Sequence, residues 1–196
     1  MCPSDISDKL NLINSVRSLY YFRHSIDLME TLVRPAIETD LTWLVRIFRA
    51  CWLTSYKDIL TQTVRDEMTQ ERANQMWARS VQPHPDRTTF VIEENGVTVG
   101  MARVGRDIIN STRGHLFSLY VHPDNAGRGL GKILLKKALA SLRKNGFEEI
   151  SLWVFKNNVP TRNLYSSLGF LETGQERIDD RWKNTEIEML APSKLF

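Results

Sequence analysis

Apolar positions recur along the chain at two spacings, and each change of spacing marks a boundary between elements. Leu116-Phe117-Ser118-Leu119-Tyr120-Val121 is bulky, aromatic and branched, which suits a pleated, largely buried strand. Pro123-Asp124-Asn125 then removes a ladder donor and supplies turn chemistry, so the strand is expected to stop near Val121. Further on, Leu135, Ala138, Leu139 and Leu142 fall at i, i+3, i+4 and i+7, with Lys132, Lys136, Lys137, Arg143 and Lys144 mostly off that stripe. This pattern predicts an amphipathic helix of about four turns that Asn145-Gly146 stops in a left-handed conformation.

The same reading extends over the chain. Leu32 to Ala36 predicts a short first strand, and Thr39 or Asp40 can cap a helix with Leu41, Leu44, Val45, Phe48, Cys51 and Trp52 on one face. A weaker helical region, Thr63 to Ser80, places Ala73, Met76, Trp77 and Val81 together, as core rather than ligand contacts. Thr89 to Glu93 and Val97 to Val104 alternate as strands around Asn95-Gly96, the strongest short hairpin signal. Glu149 to Phe155 predicts a buried strand, parallel to the one ending at Val121 because a helix connects them. Pro160 suits the first turn of a helix ending at Gly169, and strands at about 170–177 and 186–190 complete the order β-α-α-β-β-β-α-β-α-β-β.

Between the central strand and its helix lies Gly127-Arg128-Gly129-Leu130-Gly131, where absent Cβ atoms allow a ligand close to the main chain. At a helix N-terminus such a loop is an anion site, with Arg128 and Lys132 adding charge nearby; it is equally a tight turn that lets strand and helix pack closely. Other phosphate motifs fail on counting. A P-loop requires glycine and Ser or Thr where Ala126 and Ile133 stand, and a dinucleotide fingerprint requires glycine at Lys132.

Composition narrows the class. A chain of 196 residues suits one domain, and a net charge of +3 from 26 basic and 23 acidic residues, interspersed, argues against a nucleic-acid or membrane partner. Two cysteines, Cys2 and Cys51, form neither a disulfide framework nor a metal-ligand spacing, which points to a reducing, cytoplasmic setting and no metal. Residues 1–30 lack the features of a secretory or transit signal and hold Leu10, Leu12, Ile13 and Val16 in a short helical pattern. They read as an appended N-terminal extension before a single domain at 31–196, with Met29 a candidate start.

Ala126-Gly127-Arg128-Gly129-Leu130-Gly131 resembles the acetyl-CoA loop of the GNAT superfamily of N-acetyltransferases, Gln/Arg-x-x-Gly-x-Gly/Ala, departing at Ala126. A second segment also resembles the family: Leu152 to Asn158, then Asn163-Leu164-Tyr165-Ser166-Ser167-Leu168-Gly169-Phe170, with its Tyr-x-x-x-Gly-Phe ending. The resemblance covers residues 31–191. It implies an α/β (α+β) GNAT fold, a mixed central sheet of about six to seven strands flanked by about four helices.

The resemblance further implies transfer of the acetyl group from acetyl-CoA, as co-substrate, to a primary amine of a small molecule. A protein or peptide amine is the second acceptor class, and a CoA-binding module without catalysis the competing one. The pyrophosphate is expected on the main chain of Gly127, Arg128, Gly129, Leu130, Gly131 and Lys132, and the pantetheine arm along Leu119, Tyr120 and Val121, with Asn158 as its side-chain contact. A backbone N–H near Leu119 or Tyr120 would face the thioester carbonyl, a donor worth ~2.7–4 kcal/mol where an oxyanion develops. Tyr165, with a phenol reference pKa of about 10, is the expected proton donor to the thiolate, although its spacing with Leu164 and Leu168 also fits plain core packing. Trp153 stands where some family members carry a glutamate base. Counting back six residues from Val121, where the histone-acetylating branch has its glutamate, gives His115 as a candidate base, or an ordinary polar residue at a strand start. The resemblance places Tyr56, Trp52 and Trp153 beside the acceptor cleft, where rings can hold an amine by cation–π contact; core packing also accounts for Trp52 and Trp153, and Tyr56, in the loop after the first helix, is the acceptor-site candidate. A monomer or homodimer is expected.

Overall fold

The structure is a computed structural model that describes residues 30–191. The helical pattern and extension expected of residues 1–30 lie almost wholly outside the described residues, as does the end of the domain after Ala191. Seven strands form one sheet: β1 (Thr31–Pro35), β2 (Arg87–Glu94), β3 (Val97–Arg106), β4 (Gly114–Val121), β5 (Ile150–Phe155), β6 (Leu171–Asp179) and β7 (Asn184–Ala191). Their order across the sheet is β1-β2-β3-β4-β5-β7-β6, and β4–β5 is its parallel pair. Asn95 and Gly96 both take positive φ, 50° and 76°, so the β2–β3 turn is the one that Asn-Gly predicts.

Among the described residues five helices flank the sheet: α1 (Leu41–Thr54), α2 (Gln62–Asp66), α3 (Gln70–Trp77), α4 (Leu130–Lys144) and α5 (Val159–Ser166). The single helical region expected over Thr63 to Ser80 is in fact two helices and a closing 3-10 turn. Thr69 explains the break, because its hydroxyl accepts from the Arg72 N–H at 3.1 Å and starts a new helix there. Asp40 also differs from expectation. Rather than capping α1, its carboxylate takes the Ile37 N–H at 2.8 Å and two bonds from Arg34 at 2.7 and 2.9 Å, tying β1 to the start of α1. Ala73, Trp77 and Val81 are buried as expected, but Met76 is exposed.

The sheet separates two cores. On one face α4 and α5 bury Leu134, Leu135, Leu139, Leu142 and Phe170 against Val104, Leu116, Ile150 and Leu152. On the other, α1 and α3 bury Leu44, Phe48, Trp52 and Trp77 against Val91, Met101 and Phe155. The stop at Asn145-Gly146 is as expected: Gly146 has φ 86°, and Phe147 returns its N–H to the Leu142 carbonyl.

Candidate active site

β4 and β5 stay in register for only three pairs, Gly114–Ile150, His115–Ser151 and Leu116–Leu152. The β3–β4 register also slips there, from Arg103–Ser118 to Val104–Leu116, so Phe117 is an extra residue that bends β4 away from β5. Between the diverging strands opens a cavity of about 540 Å³, lined from β4 by His115, Leu119 and Tyr120 and from the β5–α5 side by Trp153, Asn158 and Tyr165. The fork therefore brings together candidates far apart in sequence.

The glycine loop sits beyond the end of β4. Gly127 and Gly129 have φ of 76° and 80°, and a Cβ on either would meet nothing within 4 Å, so their main chain faces open space. A Cβ at Gly131 would lie 3.5 Å from Leu164 and 3.7 Å from Val121, which wedges the start of α4 between β4 and α5. The cradle fits a polyanion approaching backbone N–H groups and a helix dipole. Arg128 adds less charge to it than the sequence suggests, because its guanidinium makes a bidentate pair with buried Glu94 at 2.6 and 2.8 Å. Gly127 to Lys132 do not line the 540 Å³ cavity.

The floor and far wall of the cavity are aromatic. Trp52 meets Tyr56 at 5.6 Å and Trp182 at 4.6 Å between ring centroids, and Phe48 meets Tyr120 at 5.3 Å, mostly edge to face. Trp52 is both core and lining, only 1% exposed. Burial pushes the Tyr56, Tyr120 and Tyr165 phenols well above their usual range, so all three are protonated at neutral pH. Asn158 caps α5, its side chain accepting from the Thr161 N–H at 3.3 Å while it lines the cavity. Val121 turns elsewhere: its carbonyl accepts from Cys51 Sγ at 3.1 Å.

Three polar features of the cavity were not singled out in the sequence. Ser151, fully buried in β5, bonds His115 Nδ1 at 2.7 Å and donates to Asp107 Oδ2 at 2.6 Å. Burial works to raise the Asp107 carboxyl, but the bonds from His115 and Ser151 hold it well below the usual carboxylate range. Arg87, Arg103, Arg177 and Arg181 also line the cavity. Arg177 pairs with Glu186 and Arg181 with Asp179, whereas Arg87 and Arg103 have no ion pair among the described residues. Burial, and then the charge of Arg87, lower the Arg103 pKa, and the Arg87 guanidinium lies over the Phe117 ring, 4.9 Å from its centroid. A polar residue inside an otherwise apolar strand, Ser151 in Ile150–Phe155 and Arg103 in Val97–Arg106, was the available signal.

Residues 43–170 match the family described as Acetyltransferase (GNAT) family. The chain belongs to the GNAT acetyltransferase family. Among GNAT relatives, L-amino acid N-acyltransferase MnaT of Escherichia coli (strain K12) is 33% identical over 73% of this chain and 81% of its own. L-methionine sulfoximine/L-methionine sulfone acetyltransferase of Salmonella typhimurium (strain LT2) is 33% identical over 59% of this chain and 68% of its own. The PaiA N-acetyltransferase of Thermoplasma acidophilum, solved in complex with coenzyme A, superposes with a TM-score of 0.66 at 21% identity. That alignment covers 84% of this chain and 99% of the other, and shares the GNAT fold.

Proposed function

We propose that this GNAT acyltransferase acetylates, from acetyl-CoA, the amine of a small molecule that also carries a carboxylate, an amino acid being the class that fits. The observation that carries this reading is the pair of guanidiniums, Arg87 and Arg103, that line the cavity with no ion pair among the described residues. A half-buried cation without an ion pair is unfavourable even where, as for Arg87, a ring covers it, and a carboxylate from the acceptor would offset the cost with charge-assisted bonds. The names of the two bacterial relatives, both acting on amino acids or close analogues, support the same class.

Acetyl-CoA supplies a thioester-activated acyl group. The main chain of Gly127 to Lys132 with the first turn of α4 would hold its pyrophosphate, Arg128 contributing alongside Glu94, and Leu119, Tyr120 and Asn158 its arm. A β4 backbone N–H near Leu119 or Tyr120, released from β5 by the fork, would polarise the carbonyl. Arg87 and Arg103 would fix the acceptor carboxylate, with Tyr56 and Trp52 walling the acceptor. His115 takes a proton from the amine as nitrogen attacks the carbonyl carbon, and Tyr165, protonated at neutral pH, gives its hydroxyl proton to the departing thiolate.

Thiol release measured against amino acids, polyamines, aminoglycosides, simple amines and peptides tests the class. Turnover confined to acceptors that pair a primary amine with a nearby carboxylate is expected. Comparable turnover of carboxylate-free amines, or release only with peptides, contradicts it.

A further inference from the structure

His115 is the proton acceptor of the proposed reaction, and the role assigned here to its neighbours rests on that. Two residues stand behind its ring, Ser151 on β5 and Asp107 just after β3, and the directions of their hydrogen bonds can be fixed by counting hydrogens. An ionised carboxylate only accepts. Asp107 spends Oδ1 on the Ile109 and Asn110 N–H groups at 2.8 and 3.4 Å, and its Oδ2 accepts from the Ser151 hydroxyl at 2.6 Å. A serine hydroxyl has one hydrogen; it goes to Asp107 at 2.6 Å rather than to the Gly114 carbonyl at 3.3 Å, so Ser151 accepts across its 2.7 Å contact with His115 Nδ1. Nδ1 therefore carries the ring's hydrogen, and in the neutral imidazole the lone pair lies on Nε2. The depressed Asp107 carboxyl agrees with the ionised state that this count requires.

We infer that Asp107 and Ser151 are positioning residues that hold His115 as the Nδ1–H tautomer, presenting Nε2 to the acceptor amine and balancing the imidazolium that forms. The proton comes from the amine nitrogen as its bond to the acyl carbon forms and resides on Nε2 until solvent in the cavity removes it. No proton passes along the chain, since Ser151 and Asp107 keep their own protonation throughout. Other charges face the same space: Arg87 from β2, Arg103 from β3, Arg177 from β6, and Arg181 with Glu186 across the cavity. Arg113 and Glu149, at the base of the fork, pair with each other at 2.9 Å. Asp107 is the anion in direct reach of the ring, 3.5 Å from Nδ1.

The test reads the tautomer directly, by long-range ¹H–¹⁵N correlation spectra of the full-length chain with ¹⁵N-labelled histidine, the His115 signals assigned by their loss in His115→Gln. Wild type is expected to show Nδ1–H. In Asp107→Asn the amide oxygen must stay with the Ile109 and Asn110 N–H groups, so the NH₂ faces Ser151 and turns its hydroxyl toward Nδ1 at 2.7 Å, the nearer acceptor, rather than toward the Gly114 carbonyl at 3.3 Å. That variant should flip to Nε2–H, lose between ~10² and ~10⁴ in kcat, and move the acid limb of its rate profile to lower pH. Ser151→Ala should keep Nδ1–H, because Asp107 can close the 3.5 Å gap, and lose no more than about tenfold. A wild-type Nε2–H tautomer, even if Asp107→Asn fails to fold, overturns the inference, as does an Asp107→Asn chain with unchanged tautomer and profile. Full turnover by His115→Gln overturns the proton-acceptor role itself. An inactive His115→Gln beside a wild-type Nε2–H tautomer overturns the positioning role alone.

Discussion

The sheet face under α4 and α5 is packed mostly with aliphatic side chains, while the face under α1 to α3 adds a cluster of rings, Phe48, Trp52, Trp77 and Phe155, to its aliphatic core. On the aliphatic face, regular spacing places Leu135, Ala138, Leu139 and Leu142 in one stripe, and their packing holds the start of α4 where the glycine loop presents its backbone. The anion-binding chemistry of that region is carried by the main chain, while Tyr165 of α5 reaches from the same core into the cavity. On the aromatic face, Phe48, Trp52, Tyr56 and Tyr120 come from α1, the loop after it and β4, and they meet only once the sheet exists. There the chemistry is carried by side chains. A loop that works through its backbone can be found as a motif, whereas a pocket built by long-range packing has no local signature.

Mutation should separate the two regions, with the largest effect at the proton donor. Tyr165→Phe removes that donor without touching the glycine loop, so turnover should fall ~10²–10⁴-fold while coenzyme affinity by calorimetry stays within about twofold. A turnover number equal to wild type removes Tyr165 from the chemistry. Leu139→Ala, buried on the aliphatic face at 1% exposure, should lower stability by ~2–5 kcal/mol in denaturant titrations. At a temperature where the variant is folded, kcat should be close to wild type, because the stripe is scaffold. Gly105→Ala is a smaller probe of the sheet between the faces. A Cβ there would lie 2.2 Å from the Asp86 carbonyl oxygen, and a loss of ~1–3 kcal/mol is expected from the same titration.

The smallest effect concerns pH. Asp40, Asp107 and Asp179 are all pulled below the ordinary carboxylate value of 3.8, against burial, chiefly by Arg34, by His115 with Ser151, and by Arg181 respectively. A depressed folded-state pKa means that the unfolded chain binds more protons in that window. The stability from these pairs is therefore fully present above the ordinary carboxylate range and lost as pH falls through and below it. Melting temperatures taken from pH 6 down to pH 3 should decline, and Asp40→Asn, which removes the partner of Arg34, should flatten that decline. An identical slope in wild type and variant would show that the Arg34–Asp40 pair contributes nothing to acid lability.

Much of the fold was legible because local rules and tertiary structure agree along most of the chain. Strand patterns, the Asn-Gly hairpin and the α4 stripe each had one reading, and their order matched one architecture. The break at Thr69 was missed because its capping role competes with a continuous apolar stripe. In the site, the loop glycines, His115 and Tyr165 were expected from their positions in the two family-like segments and the central strand, and the structure brings His115 and Tyr165 to one cavity. Ser151 and Asp107 could not be joined to His115 from the sequence, because Ser151, 36 positions from His115 and 44 from Asp107, meets both only when β4 and β5 pair. Arg103 hid for a similar reason, since an arginine in an alternating strand normally faces solvent, and here that face becomes the wall of the fork.

The most direct test of a carboxylate-bearing acceptor measures kcat/KM for a matched pair, an L-amino acid and the amine left by its decarboxylation, in wild type and in Arg103→Met. Wild type should strongly prefer the amino acid. In the variant that preference should collapse by ~10- to 150-fold, with the decarboxylated amine little changed, the loss expected for one charge-assisted bond. Equal use of both amines by wild type, or a variant that keeps the preference, would contradict the role given to Arg103 and the acceptor class with it.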